Sequence, residues 1–235
     1  MIDSYKTLPL GKYIDIMQIP RDLPELDFSV KVVSILVDKP EDEVLDLPLP
    51  EFQKAVAAAQ FLAAPVLGKD GRKPYDGKRV ADTYILGGFK LKLTKEPAKM
   101  NVAQYVDFQT FAKGDVLESM PQLLSCVLIP EGKTYNEGYD VAEVHKAIRE
   151  NLPTSDAYAL SAFFLRNFLQ STRNILTSSL HQLRRKKNKT EKDKELIRKT
   201  EMTIVSLRGG AGLRTWMRLL NSPTIAGLTS GRRTL

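Results

Sequence analysis

Cysteine, histidine and tryptophan are nearly missing from this chain, with one Cys, two His and one Trp in 235 residues. A single cysteine excludes an intramolecular disulfide, so no oxidising compartment is implied. That cysteine, Cys126, lies in the apolar run LLSCVLIP, where a thiol behaves as a small hydrophobic group, and no histidine partner for a nucleophile is identifiable. The two histidines, His145 and His181, fall on separate predicted helices without neighbouring cysteines and are read as surface or helix-flanking residues. No metal or other cofactor is expected. Runs of about 18 apolar residues, the length a membrane span needs, are also missing. The start, MIDSYKTLPLGKYIDI, lacks the basic head and continuous apolar stretch of a signal peptide, so synthesis in the cytoplasm is the expectation.

Phosphate-binding signatures are incomplete as well. Gly77-Lys78 looks like the end of a Walker motif, but Arg72 occupies a required glycine position and Arg79 follows where Ser or Thr belongs. Gly210-Ala211-Gly212 lacks the third glycine of a dinucleotide fingerprint, which would fall at Thr215. Glu41, Asp42, Glu43 and Asp46 read as a solvated helix start, not as an acid/base pair. The expectation is therefore a protein that is not an enzyme.

What the chain has is charge in one place. Residues 184–235 carry 14 of the 35 Lys/Arg and 4 of the 28 Asp/Glu, a net charge of +10 against −3 for residues 1–183. Such asymmetry points to a tail that meets a polyanion or an acidic surface while the body does something else. The run Arg184, Arg185, Lys186, Lys187 and Lys189 is the candidate contact for DNA phosphates or an acidic partner; no aromatics interleave it, so base stacking is not expected there. Further on, Leu213, Trp216, Met217 and Leu220 form a short apolar stripe backed by Arg214 and Arg218. Eight residues make a poor membrane anchor, and the stripe fits docking on a partner protein better.

The body reads as a duplicated helical unit. Leu8 to Pro20 places Leu10, Tyr13, Ile14 and Met17 at helical spacing, with Thr7 as a cap, Pro9 in the first turn and Pro20 as the stop. Asn101 to Gly114 repeats the pattern with Val102, Tyr105 and Val106, and Tyr13-Ile14-Asp15 aligns with Tyr105-Val106-Asp107. Here Asn101 and Gln104 resemble a capping box, and Gly114 suits the residue past the helix end. Ser34-Ile35-Leu36-Val37 falls opposite Ser125-Cys126-Val127-Leu128, so both of these runs are read as helices, the second started by Ser119 and Pro121. Short helices follow over Pro40–Leu45 and from the Asp140 cap, where Glu143 completes a box, and larger ones over Pro50–Leu62 and from Ser155. Asp15 and Asp107 are matched between the copies and suit capping a neighbouring helix or binding a partner.

The only β signal separates the halves. Phe89, Leu91 and Leu93 alternate with Lys90, Lys92 and Thr94, and Gly87-Gly88 is a two-residue hairpin turn. The fold expected is mainly α (α+β): a first helical unit over 1–63, a turn-rich linker with a β-hairpin over 64–98, and a second helical unit over 99–183 that ends in a long helix. Residues 184–235 form the basic C-terminal helix and flexible tail, so that a long helical hairpin carries the basic run at its tip, with Thr190 and Asp193 capping its second helix.

At YVDFQTFAK (105–113), LLSCVLIPEGKTYNEGYDVAEVHKAIRENLP (123–153) and DAYALSAFFLRNFL (156–169), the sequence resembles proteins encoded by tailed bacteriophages, particularly those of Bacteroidales hosts, including crAss-like phages. The resemblance covers roughly residues 5–180 and lies in helix-forming patterns, not in catalytic signatures. It implies a role in virion or tail morphogenesis, as assembly chaperone, internal cargo or structural component. Its partners would be other phage structural proteins, with DNA added through the basic end and an oligomer left open. The location implied is the virion, or the host cytoplasm during assembly. No catalytic residue comes with the resemblance.

Overall fold

Four consecutive helices of the first half start the same way, on a proline that precedes the first helical residue. In the computed structural model, which describes residues 2–64, 66, 80–96, 99–112, 114–185 and 190–208, Pro9, Pro24, Pro40 and Pro48 hold extended backbone at the N-caps of α1 (Leu10–Gln18), α2 (Glu25–Val37), α3 (Glu41–Leu45) and α4 (Leu49–Ala58). Proline's fixed φ sets the entry angle, and none of the four has a side-chain cap. Thr7 therefore does not cap α1; its hydroxyl donates to the Ser4 carbonyl instead. Pro20 does stop that helix, because the residue before a proline is pushed out of the α region and Ile19 is extended. A 3₁₀ turn, Ala59–Ala63, continues α4.

The second half uses polar caps. Asn101 and Gln104 form the expected capping box at the start of α5 (Val102–Phe111), each side chain bonded to the other's backbone N–H. Gly114 is not in the left-handed region; its N–H returns to the Phe111 carbonyl. Asp140 caps α7 (Val141–Asn151) through the Ala142 N–H at 2.8 Å, and no reciprocal bond from Glu143 is present. Between these lies α6 (Met120–Ser125), whose Ser119 N-cap makes no side-chain bond.

The run after α6 corrects the reading of Ser125–Leu128 as helix. The helix ends at Ser125, and Leu128–Pro130 is a strand, β3, paired antiparallel with Phe89–Leu93 (β2), which in turn pairs with Thr83–Leu86 (β1). The hairpin turn is where it was expected, with Gly87 and Gly88 at φ +53 and +85, the paired positive values a tight primed turn requires. Leu91 and Leu93 face inward and Lys90 and Lys92 outward. Among the described residues the sheet thus has three strands, where a two-stranded hairpin was expected. Pairing β2 with β3 ties the middle of the chain to the second helical half.

One apolar core runs from Tyr5 to Phe164 and contains Leu10 and Ile14 of α1, Leu36 of α2, Leu91 and Leu128 of the sheet and Ile148 of α7. A smaller cluster of Val30, Val33 and Val44 joins α2, α3 and α4. The N-terminal segment is stitched to the start of α8 (Thr154–Arg185). Leu10 N donates to the Leu152 carbonyl at 2.9 Å, Thr154 N and Oγ1 both reach the Leu8 carbonyl at 2.8 Å, and Ser155 N reaches the Tyr5 carbonyl at 3.0 Å. Beside this clasp, Tyr158 donates to the Tyr13 hydroxyl at 3.0 Å, and Arg149 pairs with Asp15 at 2.5 Å.

With 32 residues, α8 is about 48 Å long at 1.5 Å per residue. Its first three turns supply Tyr158, Leu160 and Phe164 to the core, whereas Leu180, near the other end, lies outside it. There α8 packs on α9 (Glu191–Arg208), so the long helical hairpin is present. At the start of α9 Lys194 N bonds the Thr190 carbonyl.

Candidate functional site

Of the expected basic run, Arg184 and Arg185 are exposed at the end of α8; Lys186, Lys187 and Lys189 lie outside the described residues. Arg184 is engaged within the hairpin, its Nη2 2.5 Å from Glu201 of α9. An exposed pair of this kind contributes about 0–1 kcal/mol and leaves the guanidinium open to a competing phosphate. The stripe Leu213, Trp216, Met217 and Leu220, the two near-miss phosphate loops and the rest of the C-terminal tail also lie outside the described residues.

In α5 the stripe read from the sequence faces outward. Val102, Tyr105 and Val106 are 80%, 45% and 53% exposed, while Gln104 and Phe108 are buried. Burying Gln104 is tolerable because its amide is satisfied twice: Oε1 accepts the Asn101 N–H, and Nε2 donates to the Cys126 carbonyl. Phe108 rests against Phe164 with centroids 4.9 Å apart. The stripe stands outward on a helix fixed at its N-terminus and on its buried side. Asp107 is held by the Tyr135 hydroxyl at 2.9 Å, and that hydroxyl is 3.7 Å from the Cys126 sulfur. Asp15 and Asp107, matched in sequence, thus meet unrelated partners.

Burial governs the chemistry beneath α5. It pushes the Cys126 thiol up to about 12, which keeps the sulfur protonated at neutral pH and makes it a poor nucleophile. His145 of α7 stands edge-on to Phe111, its Nε2 buried without a hydrogen-bond partner, and burial holds its pKa below the ordinary 6.5 despite Asp140 and Asp107. The folded state therefore takes up this proton less readily than the unfolded chain. Stability from this group is complete above about pH 6.5 and is lost as pH falls through that value toward the depressed folded pKa. The urea midpoint should fall between about pH 7.5 and about pH 5.5, and His145→Phe should flatten that change.

A third surface escaped the sequence reading because it needs β3. The outer face of the sheet carries Lys90 and Lys92, with Lys92 paired in register with Thr83 and Ile129. Beside it a groove of about 450 Å³ runs between the end of β2, Thr94, Lys95, Glu96 and Lys99, and the turn after β3. Lys92, Lys95, Lys99 and Lys133 line it, with Asp82, Glu96 and Glu131. Each carboxylate holds a lysine: Glu131 with Lys90 at 2.6 Å, Asp82 with Lys95 at 2.5 Å, Glu96 with Lys99 at 3.0 Å. The hydrogen bond from Lys90, reinforced by its charge and by Lys92, keeps the Glu131 carboxyl below its ordinary value. Lys92 and Lys133 have no carboxylate partner among the described residues. The alternation of Lys90 and Lys92 with Leu91 was the legible half of this surface.

Among the described residues no group of three or more His, Cys, Asp or Glu could hold a metal ion, and no helix is long and apolar enough to cross a membrane. The acidic group at α3 is exposed, and two of its members pair with lysines, Glu41 with Lys31 and Glu43 with Lys39. No protein-family model, curated protein or solved structure matches the chain.

Proposed function

We propose that this is a non-enzymatic bacteriophage virion structural or assembly protein, which binds other phage proteins through its helical body and DNA or an acidic partner through its basic C-terminus. The observation that carries the reading is the outward stripe of Val102, Tyr105 and Val106 on α5. Apolar groups at i, i+3 and i+4 on a preorganised helix form the anchor pattern of helix-in-groove recognition, and a tyrosine within it is a common source of binding energy. The resemblance to tailed-phage proteins supplies the class of partner. Exposed Arg184 and Arg185 support the second half of the proposal.

Mass spectrometry of purified phage particles tests it. A virion component is found in the finished particle, whereas a tail-assembly chaperone is found on phage proteins in the infected cell and is absent from particles. Tyr105→Asp with Val106→Asp should abolish the association in either case, because two charges cannot be buried in an apolar groove. A protein found in neither place, but on DNA in the infected host, would sink the virion reading in favour of a host-acting nucleic-acid-binding protein.

A further inference from the structure

The sheet groove, rather than the basic end of the chain alone, offers a built surface for a polyanion. We infer that the groove flanked by Lys92 and Lys133 binds the phosphate backbone of a nucleic acid. This goes beyond the proposed function, which places DNA contact only at the C-terminus. The argument begins with the sheet. Residues two apart on a strand point to the same side and stand roughly 7 Å apart, so β2 sets Lys90 and Lys92 as a row of cations on a rigid backbone. The turn after β3 adds Lys133 across the groove, and the loop leaving β2 adds Lys95 and Lys99.

Three carboxylates neutralise three of these lysines and hold them in place along the groove. Lys92 and Lys133 are the lining lysines that form no ion pair among the described residues, Lys92 acting on Glu131 only through its charge. The chemistry of the lining selects the partner. Lysine is depleted at protein–protein interfaces, whose cores use aromatic and apolar anchors. Here, among the described residues, the apolar lining is Leu93, Ile129 and Pro130. Nucleic-acid interfaces are more polar and more positively charged, and lysine meets a phosphate as a point charge without sequence preference. Among the described residues no aromatic lines the groove, so contact is with the backbone and not through base stacking.

The test uses the full chain and a fluorescein-labelled oligothymidylate of about twenty nucleotides, with anisotropy read from about 50 to about 200 mM salt. The wild-type protein binds with an affinity that falls as salt rises. In the double variant Lys92→Gln, Lys133→Gln the affinity should drop about tenfold, and the slope of log K against log salt should lessen by about 1.4, two single-strand phosphate contacts at about 0.7 each. Both lysines are on the surface, so the unfolding free energy read from urea denaturation should stay within about 0.5 kcal/mol of wild type. Binding by the double variant equal to wild type overturns the inference. If Arg184→Gln, Arg185→Gln alone abolishes binding, the C-terminal reading stands and the groove falls. Equal displacement by polyglutamate of matched charge also overturns it, since an acidic protein would then be the occupant. Absence of wild-type binding removes both DNA contacts.

Discussion

Leu152→Ala is expected to lower the stability of the folded chain by about 2–5 kcal/mol, the range for a leucine truncated in a well-packed core. Leu152 is 0% exposed, as are Leu8 and Leu10 across the clasp. It ends α7, and its carbonyl receives the Leu10 N–H while the next residues bond back to Leu8 and Tyr5. The surroundings cannot collapse into the space, because hydrogen bonds on both sides fix the two backbones. Side-chain loss is therefore felt as lost burial plus a cavity. Against a typical total of about 5–15 kcal/mol this is a large share. At about 2–4 °C per kcal/mol for a chain of this size, thermal unfolding should move down by several degrees at least. Leu152→Ile, which nearly conserves volume, should cost less than about 1.5 kcal/mol. If the alanine variant unfolds at a urea midpoint close to wild type, the clasp does not organise the core.

Gly11→Ala should also destabilise, by about 1–3 kcal/mol, although in an ordinary helix interior the same change would stabilise by about 0.5–1 kcal/mol. The reversal of sign comes from one close approach. A Cβ on residue 11 would lie 2.7 Å from Arg149 Cγ and 2.9 Å from the Arg149 carbonyl oxygen. The side-chain atom can swing away, at the expense of the Asp15–Arg149 pair. The carbonyl cannot move without shifting α7. Arg149→Ala should consequently fail to rescue Gly11→Ala, and a double-mutant cycle in urea reads this directly. A Gly11→Ala variant more stable than wild type would show that α1 and α7 are not held at this distance.

Much of the architecture was legible because it is local. The capping box of Asn101 and Gln104 uses residues three apart, and the structure forms it as the spacing indicates. Gly87-Gly88 marked the hairpin because only a residue without Cβ takes two successive positive φ values at low cost. Leu91 and Leu93 alternate with lysines and face the core as strand periodicity requires. The strand β3 left little trace: three residues ending in proline are too short for periodicity to register, and proline is acceptable there because the strand lies at the sheet edge. The outward turn of α5 was hidden for a different reason. Its pattern offers two faces, and Gln104 took the buried one by satisfying its amide on Asn101 and the Cys126 carbonyl, a partner 22 residues away.

By itself, then, the sequence determined that α1 stops before Pro20 and that α5 starts on the Asn101–Gln104 box, where the hairpin turns, which side of β2 is apolar and where the positive charge accumulates. These follow from propensity, caps and spacing within a few residues. Tertiary structure alone decided that Leu128–Pro130 joins the sheet, that α5 turns its valines outward, and that Thr154 closes on Leu8 across 146 positions. Contacts between residues so far apart depend on which surfaces leave the fewest polar groups unpaired and the least apolar area in water, and neither quantity is written in any short stretch of chain.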